Sequence, residues 1–570
     1  MTSSRFFAAR LLCTLLLAIC FSGAVTAPAE AKTIQERVIA CKARKAAESL
    51  LSAPQKLLES VQEKKSAKGE DLVIVEAFKT GFGTLVDGLA AVLFYELFPQ
   101  TLGYDEVQED CTIKRRGFPF VVAWLALGGL FFTLRLFFIN LRMFGHGVSV
   151  VRHKFFNKND PGEVTPFASL SAAISGTVGL GNIAGVAVAV TMGGPGAIPW
   201  MMVAGFLGMS TKFAEVTLGH KYRHIDENGR VTGGAFYYLR EGLAELGLAG
   251  LGKVLAVIFA ILAIGGAFGG GNMFQANQMV AVLTDTFSLS ELDWVIALVM
   301  AIAVGIVLIG GVERIAQVAE MIVPLMAMVY LLAGIAILVV NADAVPDALQ
   351  YMFSSAFSTE AAGGGIMGAI IMGFRRAVFS NEAGVGSSPI VFSACKSREP
   401  VQIGSLAILT PFVDTIVICL MTGLMITVTG VYDDESVSGV LMTSAAFASV
   451  IDWFPIVLSV AVALFAFSTM LTWSYYGERA WNYLFNGHKL RLYHVLFCAA
   501  VFFGGAMQDE NNEGFKLIVD FSDLLLLSMA VPNLIGLYFL SNALSRDVAD
   551  YRQRLKEGKI SPAGDVKDEN

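Results

Sequence analysis

The sequence specifies an all-α, polytopic membrane protein of about eleven transmembrane helices, and three observations lead there. Apolar stretches of ~20 residues recur from Phe118 to Phe539, each long enough to cross a hydrocarbon core of roughly 30 Å. Of 570 residues, 55% are hydrophobic and only 16% charged, against about 25% charged in soluble domains. The runs are about twice the length of a barrel strand and do not alternate between two faces, so strands are not the spanning element. A formal net charge of -7 offers no basic excess for nucleic acid. The seven Cys contain no CxxC pair, which argues against a structural zinc site or a disulfide-built scaffold.

Residues 1–31 read as a cleavable signal peptide. Arg5 and Arg10 precede the apolar run LLCTLLLAICFSGAV, and Ala29-Glu30-Ala31 offers a small-x-small cleavage site; an uncleaved anchor helix is the alternative. Residues 32–117 form a polar-to-amphipathic, extracytoplasmic N-terminal extension. Glu76, Lys79, Asp87 and Glu96 interrupt its more apolar part and are too costly for mid-bilayer. Cys41 and Cys111 fall here, in a compartment that permits disulfides, and the sequence allows them bridged or free.

The transmembrane domain is 118–541, followed by a cytoplasmic C-terminal tail, 542–570. Its first span is 118–138. Ten core spans follow at 165–191, 197–218, 252–283, 292–309, 316–340, 363–379, 403–429, 454–475, 490–507 and 515–540. Alternating sides from an outside start places Arg142/Arg152/Lys154/Lys158, Lys221/Arg223/Arg230, Arg375/Arg376/Lys396/Arg398 and Arg479/Lys489/Arg491 on the cytoplasmic side, as the positive-inside bias requires. Lys114, Arg115 and Arg116 dissent from the opposite flank of the first span. Ten core helices divide into two sets of five with opposite orientation, a plan recurrent in secondary transporters.

Core helix 1 contains the run SGTVGLGN with Gly176, Gly179, Gly181 and Gly185. Each Gly lowers helix stability by up to about 1 kcal/mol, so the helix is expected to unwind in mid-membrane. Such backbone is tolerated only where it lines a cavity or is buried in protein. Its carbonyls can ligate a cation, and its N–H groups can hold a carboxylate at a helix start. Close packing through small residues is the alternative. Core helix 8 adds Phe465-Ala466-Phe467-Ser468-Thr469, whose adjacent hydroxyls could supply hard oxygen ligands for sodium; singly, such hydroxyls usually bond their own i−4 carbonyl. Core helix 3 carries Asn272, Gln275 and Asn277 at membrane depth, fit to bond a polar substrate or to join helices. Core helix 6, with Gly363, Gly364, Gly365, Gly368 and Gly373, has glycine enough for a second break. The run 376–389 after it reads as a polar cytoplasmic turn region. Glu215, Glu320, Asp414 and Asp523 are proton-relay candidates, most of them near helix ends, with Asp414 the deepest. His220 and His224 have metal-pair spacing but no third ligand.

Together these segments resemble the alanine/glycine:cation symporter family, or sodium–alanine symporters. The resemblance is carried by SGTVGLGNIAGVA, MGGPGAIPWM, GMSTKFAEVTLGHKYR, GGAFYYL, GNMFQAN, RAVFSNEAGVGSSPI, PFVDTIVICLMTGL and FSTMLTWSYYGERAWNYLF, in order over about 165–485. It implies a LeuT-type fold, a 5+5 inverted repeat preceded by one extra helix. It also implies a sodium ion held by Ser175, Val178, Phe465, Ser468 and Thr469, and a substrate carboxylate at the amides of Gly179, Leu180 and Gly181. Thr177, Asn182, Gln275, Thr469 and Trp473 would shape the rest of the pocket. Core helix 5 contains no Lys from Ala316 to Val340, which favours sodium over a proton-coupled relative.

The expected function is sodium-coupled import of small neutral amino acids, alanine and glycine first, by alternating access, in a bacterial-type plasma (inner) membrane. The mature N-terminus would lie outside and the C-terminus in the cytoplasm. No catalytic residue, cofactor, metal beyond sodium, nucleic acid or obligatory protein partner is expected. A proton-coupled amino-acid transporter and a non-transporting sensor on the same fold are the rivals. A channel would show flux without saturation. An enzyme is disfavoured, because no Ser/Lys dyad, paired His or metal motif lies at depth.

Overall fold

Hydrocarbon offers no partner for backbone polar groups, so apolar runs of this length bury theirs in helices. The computed structural model describes residues 119–560, except 228, 290, 309–310, 359–364, 435–436 and 509–512, together with Phe82 and strands at 104–107 and 113–116. The expected signal peptide, most of the 32–117 extension and the Cys41/Cys111 pair lie outside the described residues. From the extension, strands β1 (Tyr104–Val107) and β2 (Ile113–Arg116) pair antiparallel, Tyr104 opposite Arg116.

Helix α1 (Phe120–Arg135) leads into the bundle and ends where Phe137 and Phe138 take positive φ. Then come α2 (Pro166–Thr177), α3 (Ala184–Gly193) and α4 (Ala197–Lys221). Helix α2 starts in a regular way, with Pro166 in its first turn and Thr165 Oγ1 accepting from Ala168 N at 3.2 Å. Next are α5 (Ala249–Phe287), α6 (Asp293–Leu308), α7 (Gly311–Val340), α8 (Val345–Ala356), α9 (Gly365–Asn381) and α10 (Pro400–Thr429). The last five are α11 (Val440–Ala448), α12 (Phe454–Phe485), α13 (Leu490–Ala506), α14 (Glu513–Ser528) and α15 (Ala530–Lys556). Helices α5 and α10 each contain a wider, π-type stretch, Gly269–Met273 and Phe412–Cys419.

By length and composition α5, Met321–Val340 of α7, α10, α12 and the run Glu513–Lys556 can each cross a membrane, and α1, α3, α6 and α13 are shorter apolar helices. Their outward faces expose Leu127, Val254, Ile302, Leu332 and Val495, the inverse of a soluble surface. These lengths fit a multi-pass membrane protein without fixing the number of spans at eleven.

Two expectations need correction. Of the glycines expected to break core helix 6, Gly363 and Gly364 lie outside the described residues, Gly365 opens α9, and Gly368 and Gly373 are buried inside it without a break. A Cβ on Gly373 would come within 2.6 Å of Trp200 Cβ and 2.7 Å of Ala197 O, so this glycine serves close packing of α9 on α4. The run after α9 is not a solvated turn either. Residues 382–388 are buried, with Glu382 accepting from Trp473 and Ser387, and Gly384 O accepting from Asn533 inside the bundle. Helix α4 lies at the centre, packed on α9, α1 and the start of α10, while α12 packs on α2, α5 and α7.

Candidate functional site

The helical run that starts at Pro166 stops at Thr177 and resumes at Ala184. Val178 takes an extended conformation, φ -78° and ψ 95°, which turns the chain out of the helix. Two of the freed donors find side-chain acceptors. Gly179 N donates to Asn182 Oδ1 at 2.9 Å, and Leu180 N donates to Gln275 Oε1 at 3.1 Å. Asn182 Nδ2 in turn reaches Asp414 Oδ1 at 2.7 Å and Asp414 O at 3.0 Å. An interruption buried in protein with its polar groups satisfied is the condition under which a membrane tolerates one.

Helix α12 closes the interruption from the other side. Thr469 Oγ1 donates to Ser175 O at 3.0 Å, Ser175 Oγ to Ser468 O at 3.0 Å, and Thr472 Oγ1 to Ser175 Oγ at 3.0 Å. Ser468 Oγ reaches Phe465 O at 3.1 Å and Met326 Sδ at 3.6 Å. Ser175, Phe465, Ser468 and Thr469 therefore form one oxygen-rich corner next to Val178. Gly179 permits the approach: a Cβ there would sit 2.5 Å from Thr469 Oγ1 and 3.2 Å from Gln275 Oε1.

Trp473 forms the third wall. Its Nε1–H is placed between Gly176 O at 3.2 Å and Glu382 Oε1 at 3.1 Å. Its ring lies against Gly271, where a Cβ would fall 2.2 Å from Trp473 Cγ. Gln275 is anchored through Nε2 to Gly270 O at 2.8 Å. Thr177, at the end of α2, bonds back to Ala173 O at 3.2 Å. A Cβ on Gly181 would meet Ser380 Cα at 3.3 Å, so the far edge abuts α9. Thr177, Asn182, Gln275, Thr469 and Trp473 are each at most 3% exposed, so the break is shut off from solvent in this form.

The sequence-selected residues Ser175, Thr177, Val178, Gly179, Leu180, Gly181, Asn182, Gln275, Phe465, Ser468, Thr469 and Trp473 thus come from α2, the break after it, α5 and α12 to one locus. Asn272 and Asn277 do not join them. Asn272 Nδ2 bonds Phe497 O at 2.8 Å, and Asn277 Nδ2 bonds Gly504 O at 3.2 Å, both tying α5 to α13. His220 faces Cys395 O at 3.2 Å, whereas the exposed His224 pairs with Glu241 at 2.7 Å; the two do not converge. Glu320's side chain lies outside those described.

Beside the break lies a group of ionisable residues that the sequence reading only half captured. Lys212 and Glu215 on α4, Glu382 after α9 and Asp414 on α10 are all buried, and Lys212 interacts electrostatically with all three acids. Glu215 and Asp523, two of the proton-relay candidates, are fully buried, with Glu215 held by Asn533 Nδ2 at 2.6 Å and Asp523 by Arg375 and Arg376. Lys212 and Glu382 were not singled out. A Lys and a Glu three residues apart inside the apolar run 197–218 were the available signal.

Comparison with known proteins bears on this arrangement. A family model described as the sodium:alanine symporter family matches residues 109–564. The chain is 37% identical over 446 residues to the sodium/alanine symporter AgcS of Methanococcus maripaludis, covering 77% of this chain and 96% of that protein. It is 34% identical to the amino-acid carrier protein AlsT of Bacillus subtilis (75% and 89% covered). It is 32% identical to the probable sodium/glutamine symporter GlnT of the same organism (76% and 87%). A solved structure of MhsT in complex with L-phenylalanine is 15% identical, with a TM-score of 0.45, covering 67% of this chain and 99% of that one; a likeness that low carries no argument.

Proposed function

This chain belongs to the sodium:alanine symporter family, and from that premise we propose that it imports small neutral amino acids, alanine and glycine first, driven by sodium through alternating access. The observation that carries this reading is the interruption at 178–183, met at Leu180 N by Gln275, with the turn before it held through Ser175 O by the Thr469 hydroxyl of α12. Sodium would be held by carbonyls near Ser175 and Val178, with Phe465 O and the hydroxyls of Ser468 and Thr469. The substrate carboxylate would take the amides of Gly179, Leu180 and Gly181, displacing Gln275 Oε1 from Leu180. Thr177, Asn182 and Gln275 would complete the polar surface. Trp473, with its indole N–H held and its ring against Gly271, would restrict the side chain to small groups by steric exclusion. Sodium and substrate both favour the same arrangement of the break, and that differential affinity is the coupling.

We read the domain as a LeuT-type 5+5 repeat behind one extra helix, with 1–31 cleaved, 32–117 and the mature N-terminus outside, and 542–570 in the cytoplasm of a bacterial-type cell. The test is uptake of labelled alanine into proteoliposomes under an inward sodium gradient and then an equal potassium gradient. Saturable accumulation with sodium alone, blocked by unlabelled glycine, is the expected result. Accumulation driven equally by a proton gradient without sodium would replace the coupling ion. Binding without accumulation would make the chain a sensor.

A further inference from the structure

The charged group next to the break is more than a structural salt bridge. Within it a single ammonium, Lys212, faces three carboxyl groups, Glu215, Glu382 and Asp414, and none of the four reaches solvent. Charges at such depth persist only when paired or neutralised.

The hydrogen bonds distinguish the three acids. Asp414 accepts from Asn182 Nδ2, from Ser380 Oγ at 2.8 Å and from Thr415 Oγ1 at 2.8 Å. Glu382 accepts from Trp473 Nε1 and from the hydroxyl of Ser387. Both are thereby equipped to remain anions, since every one of these bonds is donated to the carboxylate. Glu215 is different. Its Oε1 accepts from Asn533 Nδ2 at 2.6 Å and the Gly386 amide lies near the carboxylate, but no hydroxyl or other side chain meets its buried Oε2, and Lys212 Nζ, one turn before it on α4, is likewise buried without a hydrogen-bond partner. Among the described residues no three acidic, His or Cys side chains converge so as to chelate a metal ion. One proton on the third acid lowers the excess from two negative charges to one.

The cluster is also wired to the break at two points. Asp414 holds Asn182, which holds Gly179 N. Glu382 holds the indole that bonds Gly176 O. We propose that Lys212, Glu215, Glu382 and Asp414 form a proton-binding site in which Glu215 Oε2 carries the proton, and that arrival of a cation at the helix break discharges it. The proton comes from water and binds the Glu215 carboxylate. When a positive charge enters the break, the excess negative charge that held the proton is compensated at short range in a medium of low dielectric. The proton then returns to solvent. The titratable groups facing the site are Lys212 on the same helix, Glu382 and Asp414 across it, Cys419 beside Asp414, Tyr238 beyond Asn533, and Tyr476 beside Glu382. The discharge step rests on the sodium-symport reading; the resting proton does not.

Two measurements separate them. Infrared spectroscopy of the full-length wild type at neutral pH, without ligand, reads the carbonyl stretch of a buried protonated carboxylic acid. The band is expected in the wild type and absent from Glu215→Gln. Its absence from the wild type overturns the site, and its persistence in the folded variant overturns the assignment to Glu215. Should the variant not fold, disappearance of the wild-type band as pH rises decides the matter, and a band unmoved by pH sinks it. Calorimetric titration of sodium chloride with alanine, in buffers of different ionisation enthalpy, tests the discharge. About one proton released per binding event is expected, so the heat varies with buffer in the wild type and not in Glu215→Gln. Binding heat independent of buffer overturns the coupling. No binding heat at all overturns the symport reading, whatever the infrared band shows.

Discussion

One methyl group is enough to probe the break. Gly179→Ala would place a Cβ 2.5 Å from Thr469 Oγ1, closer than any real Cβ contact. The overpacking costs about 1–3 kcal/mol and falls on the joint between α2 and α12. Alanine uptake by this variant should drop at least tenfold in proteoliposomes, at normal expression; unchanged uptake would show that the joint moves freely. Ser468→Ala removes an oxygen without adding bulk. Half-saturating sodium should rise about tenfold, equivalent to ~1.4 kcal/mol, with a smaller change in half-saturating alanine. An unaltered sodium dependence would remove Ser468 from the ion site. At this scale the sequence was legible where a residue was out of place in its surroundings. Adjacent Ser468 and Thr469 in an apolar run, Gln275 among glycines and the glycines of 176–185 all stood out on composition. What could not be read was pairing across the chain. Nothing local in Glu382 announces that its carboxylate receives the indole N–H of Trp473, and nothing local in Lys212 announces the three acids around it.

Among elements, α9 and α14 are joined by an ion pair that water does not reach. Asp523 receives Arg376 and, at 2.6 Å, Arg375 Nε, and Arg375 extends to Asp520 at 3.8 Å. Arg376 also lies over Phe379, 5.0 Å from the ring centroid, one turn further along α9. Removing one partner of a buried pair leaves an uncompensated charge and costs about 3–5 kcal/mol. Asp523→Asn should therefore lower the thermal unfolding midpoint of the purified protein markedly, and Asp520→Asn, at the exposed end, should leave it nearly unchanged. Equal midpoints for the two variants would mean that the pair contributes nothing to holding α9 on α14. The glycine-rich break between α2 and α3 was legible because helix interiors penalise glycine so strongly. The same reasoning failed in α9, where Gly373 is a packing surface for α4. It failed again at 382–388, whose composition is that of a loop and whose burial comes from partners on α12 and α15. Glu382 even holds a left-handed backbone, φ 57°, a conformation costly for a residue with a Cβ.

For the molecule as a whole, hydropathy settled the class, since chains this apolar have few other stable solutions in a bilayer. The number of spans was harder to read. Helices such as α4 and α9 carry buried polar and charged residues that lower their hydropathy, and the break divides the run 166–193 into two short helices. A carrier must also come back with no passenger aboard, and the break bears on that half of its cycle. Two donors of the interrupted backbone have acceptors of the protein's own: Asn182 Oδ1 for Gly179 N and Gln275 Oε1 for Leu180 N. These two need no substrate to avoid the several kcal/mol that each bare group costs in hydrocarbon. The return stroke is affordable without cargo, so net filling of a vesicle should outpace one-for-one exchange as the default mode. Labelled alanine preloaded into proteoliposomes should leave at a comparable rate whether or not alanine is present outside. Strong acceleration by external alanine would place the slow step in the empty return, and Gln275→Ala, which strips Leu180 of its stand-in acceptor, should produce that acceleration.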